Sequence, residues 1–153
     1  MRKKIKFPEW RQDLIDYLYH LSDIPFQKRK WVNHKNPYAF YEYFGYAIDS
    51  MEDHGLMDDN PEPTVGLTFR TEEEIILCKK VGRLVHEILE MVGRGTPRGR
   101  GEPDHVYLNS PLWPKLAEAA KEAFELCSAN DRDCGYVPPF PYSHDTSREV
   151  LNS

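Results

Sequence analysis

A few short patterns in this sequence place chemically active side chains close together. His86-Glu87 begins like the zinc-binding helix motif H-E-x-x-H, in which two imidazoles one turn apart hold the metal. The position that needs the second histidine is Glu90, so the pattern predicts an ion pair and no zinc site. Glu102 and His105 have the spacing of a carboxylate-bridged metal pair. Such sites need two helical copies, and this chain has one copy on a Gly- and Pro-rich segment.

Motifs for nucleophilic or phosphate chemistry are also missing from the sequence. There is no G-x-S-x-G elbow and no phosphate-binding loop, and the glycines of residues 93–101 lack a preceding strand. Cys78, Cys127 and Cys134 form no C-x-x-C pair and indicate reduced thiols, with Cys78 and Cys127 best explained as small core residues. A nucleophilic Cys–His pair between residues that are distant in the sequence and close in the fold stays an open alternative. The sequence predicts a protein without catalytic residues, metal or cofactor.

The charges are segregated along the chain, although the net charge is only −5. Residues 42–74 are strongly acidic, with Arg70 as the only Lys or Arg among them, whereas Lys and Arg are concentrated at 2–6, 28–35 and 94–100. Such segregation favours an electrostatically steered partner, and the alternative is an ordinary solvated surface. The Arg/Gly loop at 94–100 is of a kind that contacts phosphates. Because the chain is acidic and shows no recognition helix, we expect no nucleic-acid partner.

The strongest structural element is a helix over residues 71–93. Thr71 and Glu74 form a T-x-x-E capping box, and Gly93 is the residue type that commonly follows a last turn. Gly82 is unfavourable inside a helix and indicates a close crossing by another helix. A wide apolar stripe at helical spacing predicts a central position in the core. Its members are Ile75, Leu77, Cys78, Val81, Leu84, Val85, Ile88, Leu89 and Val92.

Further helices are predicted to begin at Pro8, Pro37 and Ser110-Pro111, because proline is tolerated in a first helical turn. The first is expected to pack through Trp10, Leu14, Tyr17, Leu18 and Leu21. The second is expected to end at Gly55 and to pack through Phe40, Phe44, Ala47, Ile48 and Met51. The last is expected to end at Cys127 and to pack through Leu112, Trp113, Leu116, Ala120, Ala123, Phe124 and Cys127.

The 153 residues therefore predict a mainly α single-domain bundle of about four principal helices. A short two-stranded β ribbon could join residues 65–69 to residues 106–108. The helical domain is expected to span residues 1–128, followed by an extended or partly disordered C-terminal arm over 129–153. No apolar run approaches the roughly 20 residues of a membrane span, and the basic start lacks the apolar segment of a secretory signal. We expect a cytoplasmic protein without membrane contact.

Several short segments occur here in a recognisable order. They are Asp58-Asp59, Val65-Gly66-Leu67, the helix from Glu72, and the Y-L-N-S-P-L-W segment at 107–113. In this combination, over roughly residues 8–128, the chain resembles small bacterial immunity proteins of toxin–immunity modules of the contact-dependent inhibition kind. The resemblance implies a non-catalytic protein that neutralises a cognate protein toxin, for example a nuclease. None of these segments is catalytic.

The candidate partner-binding surface combines the acidic middle of the chain with its tyrosines. Carboxylates there could cover a basic toxin cleft and speed association, while tyrosines beside them could act as anchors. The tyrosines have a plainer explanation as half-buried margins of the core. We expect this surface near the acidic first turn of the 71–93 helix. The predicted partner-binding residues are Asp49, Glu52, Asp53, Asp58, Asp59, Glu62, Tyr41 and Tyr46.

Two other classes of function stay open at this point. One is a small helical interaction or regulatory protein that binds another protein or itself, with its tyrosine-rich face buried. The other is an enzyme whose site is assembled from Glu52, His54 and His86. The sequence leaves the oligomeric state open.

Overall fold

A computed structural model describes residues 5–27, 43–57, 63–92 and 107–136. Over these ranges the chain forms helix α1 at Pro8–Leu21, the short α2 at Ile24–Gln27, α3 at Tyr43–Asp53, α4 at Glu72–Val92 and α5 at Trp113–Asp133. The predicted mainly α fold with four principal helices is confirmed.

The predicted β ribbon is wrong for the described residues, which contain no strand. Val65 forms an isolated bridge with Phe69 across a tight turn, and the Gly66 amide donates to the Phe69 carbonyl at 2.8 Å. Gly66 allows this turn because its φ is 106°, in the left-handed region. Tyr107 and Leu108 form a helical turn instead of an extended segment.

Helix α4 begins as its capping signal predicts, with one difference. The Thr71 hydroxyl accepts from the Glu74 amide at 3.1 Å, which confirms Thr71 as the cap. The Glu74 carboxylate accepts from the Arg70 amide at 2.6 Å, one residue before the position that a capping box uses. Glu72 and Glu73 are exposed, but Glu74 is fully buried. The expectation that the whole acidic first turn belongs to the surface is therefore wrong for Glu74.

The core lies around α5, which packs against both α4 and α1. Ala120 and Ala123 are fully buried on α5 and let the neighbouring helices approach closely. The buried hydrophobic residues are Leu14, Ile15, Leu18, Leu21, Ala47, Met51, Leu56, Phe69, Ile75, Cys78, Val81, Val85, Ile88, Leu89, Tyr107, Trp113, Leu116, Ala119, Ala120, Ala123 and Cys127.

Helix α5 is shifted relative to its predicted bounds. It begins at Trp113 rather than at Pro111, because Ser110 closes a preceding turn by accepting from the Leu112 and Trp113 amides. It continues past Cys127 to Asp133, and the chain from 137 onward lies outside the described residues. The buried Trp113 indole donates to the Gln27 side chain at 2.8 Å, which ties the start of α5 to α2.

The segment after α3 crosses α4 at Gly82. Helix α3 ends at Asp53, and Gly55 (φ 72°), predicted as the residue that ends this helix, lies in the turn that follows. Leu56 then lies directly on α4. A Cβ atom at Gly82 would overlap the Leu56 carbonyl oxygen and would lie 2.8 Å from its carbonyl carbon. The close crossing predicted at Gly82 is present, but it is made by the backbone of this segment and not by a helix. It fixes the end of α3 against the central helix.

Candidate functional site

Helix α1 presents chemically different residues on two of its faces. Arg11, Leu14 and Leu18 recur at threes and fours and are buried against the core. Trp10, Asp13 and Tyr17 follow the same spacing one position out of phase and face α3. Two separate polar regions result, one buried and one open to solvent.

The open region is a groove between α1 and α3 with a volume of about 540 Å³, which we call the acidic–aromatic groove. Trp10 is 56% exposed and Tyr46 is 45% exposed, so both rings offer apolar surface to a ligand. The exposure of Trp10 corrects the prediction that it packs in the core. Eight side chains line the groove: Trp10, Asp13, Tyr17, Tyr46, Asp49, Ser50, Asp53 and His54.

The negative charge of this groove is not neutralised within the part of the chain that the structure describes. Asp13, Asp49 and Asp53 form no ion pair with Lys or Arg among these residues. The half-buried Tyr17 lies in the negative electrostatic potential of these carboxylates. Its pKa is raised above the ordinary value by burial and then by Asp13, Tyr46 and Asp49, since a second negative charge there is unfavourable.

His54 closes one end of the groove by joining α3 to α1. Its Nδ1 lies 2.8 Å from the Ser50 carbonyl oxygen and its Nε2 lies 3.1 Å from the Trp10 carbonyl oxygen. Carbonyl oxygens only accept, so a neutral ring can donate to one of them and an imidazolium to both. With both ring nitrogens occupied by backbone, His54 holds the groove together and is poorly placed to act as a catalytic base.

Ser50 lines the same groove and has an unusual environment. It is 7% exposed, and its hydroxyl has no hydrogen-bond partner among the described residues. Buried hydroxyls are normally satisfied, because desolvation without a replacement partner costs free energy. Among the described residues, the Ser50 hydroxyl is therefore a buried groove group whose hydrogen-bonding capacity is unused.

The structure brings together only part of the predicted binding surface. Tyr46, Asp49 and Asp53 line the groove, whereas Glu52 is exposed on α3 outside it. The other predicted residues, Asp58, Asp59, Glu62 and Tyr41, lie outside the described residues.

Sequence reasoning missed Asp13, Ser50 and the α1 side of the groove. A usable signal was present, because Trp10, Asp13 and Tyr17 recur with helical spacing beside the core stripe. Nothing local indicates that this face meets α3, which follows it much later in the chain. Of the residues considered for an enzyme site, only His54 lines the groove.

The buried polar region is an ion-pair network centred on Arg11. Its guanidinium binds both oxygens of Glu74 at 2.8 Å and one oxygen of Asp131 at 2.9 Å. Arg70 reaches the same Asp131 oxygen at 2.7 Å, and the Asn130 amide donates to Glu74 at 2.8 Å. We call Arg11, Arg70, Glu74, Asn130 and Asp131 the buried ion network.

Each charge in the buried ion network is matched by an opposite charge. Arg11 also donates to the carbonyls of Thr68 and Cys127, which completes its five N–H donors. Burial alone would raise the pKa of Glu74, but the bonds from Arg11, followed by Asn130, outweigh it and hold that pKa below its ordinary value. A satisfied network of this kind joins α1, α4 and α5 and has no group left for a substrate.

The remaining chemical candidates are structural or peripheral. His86 and Glu90 form the predicted ion pair at 3.5 Å on an exposed face of α4. Cys78 and Cys127 are buried in the core as predicted, and the pKa of Cys127 is raised by its contact with Cys78 and by burial. Among the described residues no three His, Cys, Asp or Glu side chains are grouped to hold a metal. No helix there is long and apolar enough to cross a membrane.

The structure describes a helical domain with an acidic and aromatic groove between α1 and α3. The chain belongs to the family described as a domain of unknown function (DUF7945), whose model matches residues 5–135. No curated protein and no solved structure matches it. The match spans both the groove and the buried ion network.

Proposed function

We propose that this protein is a non-catalytic binding protein that docks a basic surface of a protein partner in the acidic–aromatic groove. The observation that carries the proposal is the set of carboxylates on Asp13, Asp49 and Asp53, which lack cations of their own among the described residues. Three unpaired acids around one groove form a surface that a cationic partner complements.

The aromatic residues of the groove support a protein partner. Trp and Tyr are enriched among the residues that dominate binding energy, because their large rings bury much apolar area. Trp10 is additionally fixed in orientation, since it stacks on Phe7 with ring centroids 4.7 Å apart. A ring that is already ordered loses less conformational entropy on binding. The carboxylates then steer the encounter and select a basic partner.

The partner that fits this groove is a toxin of the kind implied by the resemblance to immunity proteins. Toxins that cleave nucleic acids need basic clefts for the phosphate backbone. A protein that covers such a cleft with an acidic surface and aromatic anchors would exclude the nucleic-acid substrate. The protein would act in the cytoplasm, where the reduced cysteines indicated by the sequence also fit.

The test is co-purification with a toxin domain encoded beside this gene, followed by charge reversal in the groove. The double variant Asp49→Lys/Asp53→Lys should weaken binding by at least about tenfold, since reversing charges at an interface places like charges together. Glu118→Lys/Glu122→Lys is the matched control, because it reverses two exposed carboxylates one turn apart on α5, outside the groove. Equal binding by the double variant and the wild type would overturn the proposal.

Self-association is the competing outcome of the same experiment. If the protein is a dimer by light scattering and Trp10→Ser makes it monomeric, the groove is an interface between copies. That result would overturn the toxin-binding proposal and favour an interaction or regulatory protein.

A further inference from the structure

The carboxylates of the acidic–aromatic groove are spread along its walls and are not focused on one point. Asp13 comes from α1, while Asp49 and Asp53 lie one turn apart on α3. A metal ion needs ligand atoms about 2–2.6 Å away on several sides. Within the described residues no such group exists. The spacing favours a larger, flat cation whose charge is distributed over several atoms.

We propose that the groove recognises an arginine side chain of the partner, which inserts between the aromatic rings and the carboxylates. This inference rests on the proposed function and specifies its anchor. A guanidinium group is planar, stacks on aromatic faces and forms paired hydrogen bonds with a carboxylate. Trp10 and Tyr46 supply the exposed rings, and Asp49 or Asp53 supplies the acceptor on the same helix as Tyr46.

Ser50 gives independent support for a ligand that forms hydrogen bonds. Its hydroxyl is buried in the groove wall and has no partner among the described residues. Guanidinium carries five N–H donors and no acceptor, so a carboxylate pair leaves donors over. The Ser50 oxygen can accept one of them once its side chain turns toward the ligand. An apolar ligand would leave this hydroxyl unsatisfied.

Lysine fits the same groove less well. Its ammonium is a compact, strongly hydrated charge, and it neither stacks flat on a ring nor bonds two oxygens in a fixed plane. The protein contains its own example of the arginine geometry, since Arg11 binds both oxygens of Glu74 at 2.8 Å. The groove presents carboxylate acceptors of the same kind on Asp49 and Asp53.

The experiment uses the full-length ¹⁵N-labelled protein and a small probe that needs no partner. N-acetyl-arginine amide is titrated in while amide and indole shifts are followed by NMR. Binding of so small a ligand should be weak, with a Kd on the order of millimolar. The shift changes should cluster at Trp10, Tyr46, Ser50 and Asp53. N-acetyl-lysine amide should bind at least about fivefold more weakly, and the neutral citrulline analogue should not bind.

Two variants locate the effect. Asp49→Asn should weaken binding of the arginine probe. Ser50→Ala should reduce the difference in affinity between the arginine and lysine probes, because one hydrogen-bond acceptor is removed. Glu122→Gln, exposed on α5 outside the groove, is the control and should leave both affinities unchanged. A thermal melt of each variant checks that it is folded.

The inference is overturned if the lysine and arginine probes bind equally, if neither binds, or if the shifts are scattered over the acidic surface. These failures are distinguishable from failure of the proposed function. If a toxin partner still depends on Asp49 and Asp53 while the arginine probe does not bind, the proposed function stands and the arginine anchor is wrong. If the arginine probe binds in the groove but no protein partner requires Asp49 and Asp53, the groove binds arginine and the proposed function is wrong.

Discussion

Both polar regions of α1 contain carboxylates, but the two regions differ in whether those carboxylates are paired with cations. In the buried ion network, Glu74 and Asp131 each meet an arginine within 3 Å. In the acidic–aromatic groove, Asp13 and Asp49 meet none among the described residues. Arg11 and Asp13 are two positions apart on α1, and they differ in role because different residues lie opposite them. The paired charges join the helices, whereas the groove carboxylates have no Lys or Arg partner among the described residues.

This difference also separates stability from binding. Removing one member of a buried pair leaves the other charge buried without a partner, which is strongly destabilising. Removing one of several like charges near solvent relieves repulsion and costs little. Four changes, taken from the largest expected effect to the smallest, test whether the two regions divide in this way.

The largest effect is expected for Arg11→Met. Glu74 and Asp131 would keep their burial and lose their shared cation, so the free energy of unfolding should fall by about 3–5 kcal/mol. Urea denaturation followed by circular dichroism measures this. Asp13→Asn, on the other face of the same helix, is the control and should change stability little. A loss below about 1 kcal/mol for Arg11→Met would show that the network is not essential.

Gly82→Ala should have the next largest effect on the free energy of unfolding. The test is whether this substitution stabilises or destabilises the protein. In an ordinary helix interior alanine is more stable than glycine by about 1 kcal/mol. Here the new Cβ would overlap the Leu56 carbonyl, so we expect a loss of about 1–3 kcal/mol. Because Leu56 follows α3, chemical shifts on the α3 side of the groove should move as well. A gain in stability would mean that Leu56 does not press on α4.

Acid should weaken the buried ion network through Glu74. Its pKa is lower in the folded chain than its ordinary value of 4.5, so its contribution to stability is complete above that pH and is lost as the pH falls through the folded pKa. The urea midpoint measured from pH 7 down to pH 3 should therefore fall less for Glu74→Gln than for the wild type. Asp49→Asn/Asp53→Asn should retain the wild-type dependence. Identical curves for Glu74→Gln and the wild type would contradict the assignment.

The smallest stability effect is expected for Asp49→Asn/Asp53→Asn. Both carboxylates are exposed and unpaired among the described residues. The free energy of unfolding should therefore change by less than about 0.5 kcal/mol. We expect a small increase, because repulsion between like charges is relieved. Differential scanning calorimetry measures this. Loss of partner binding without loss of stability would show that the two aspartates act in binding and not in folding. A clear destabilisation would show that they stabilise the fold, as the buried ion network does.

Local signals in the sequence predicted the helices better than the site. The bounds of α4 follow from Thr71 at its start and from apolar periodicity, both of which act within one or two turns. The buried ion network was not predictable in this way, because Arg11 and Asp131 are 120 positions apart. The acidic stretch indicated Asp49 and Asp53, but Asp13 joins them only through the packing of α3 on α1. Trp10 has the same helical spacing as a core residue, and periodicity alone does not separate core from margin.

The contact between Leu56 and Gly82 has a consequence for motion in the groove. At its C-terminal end α3 is held twice, by Leu56 against the central helix and by His54 against the Trp10 carbonyl. This end of α3 should therefore move least relative to α1. Backbone amides near Met51 should exchange with solvent slowly, because both contacts must break before this end of the groove can open. The width of the groove at this end is thus fixed by the core beneath it.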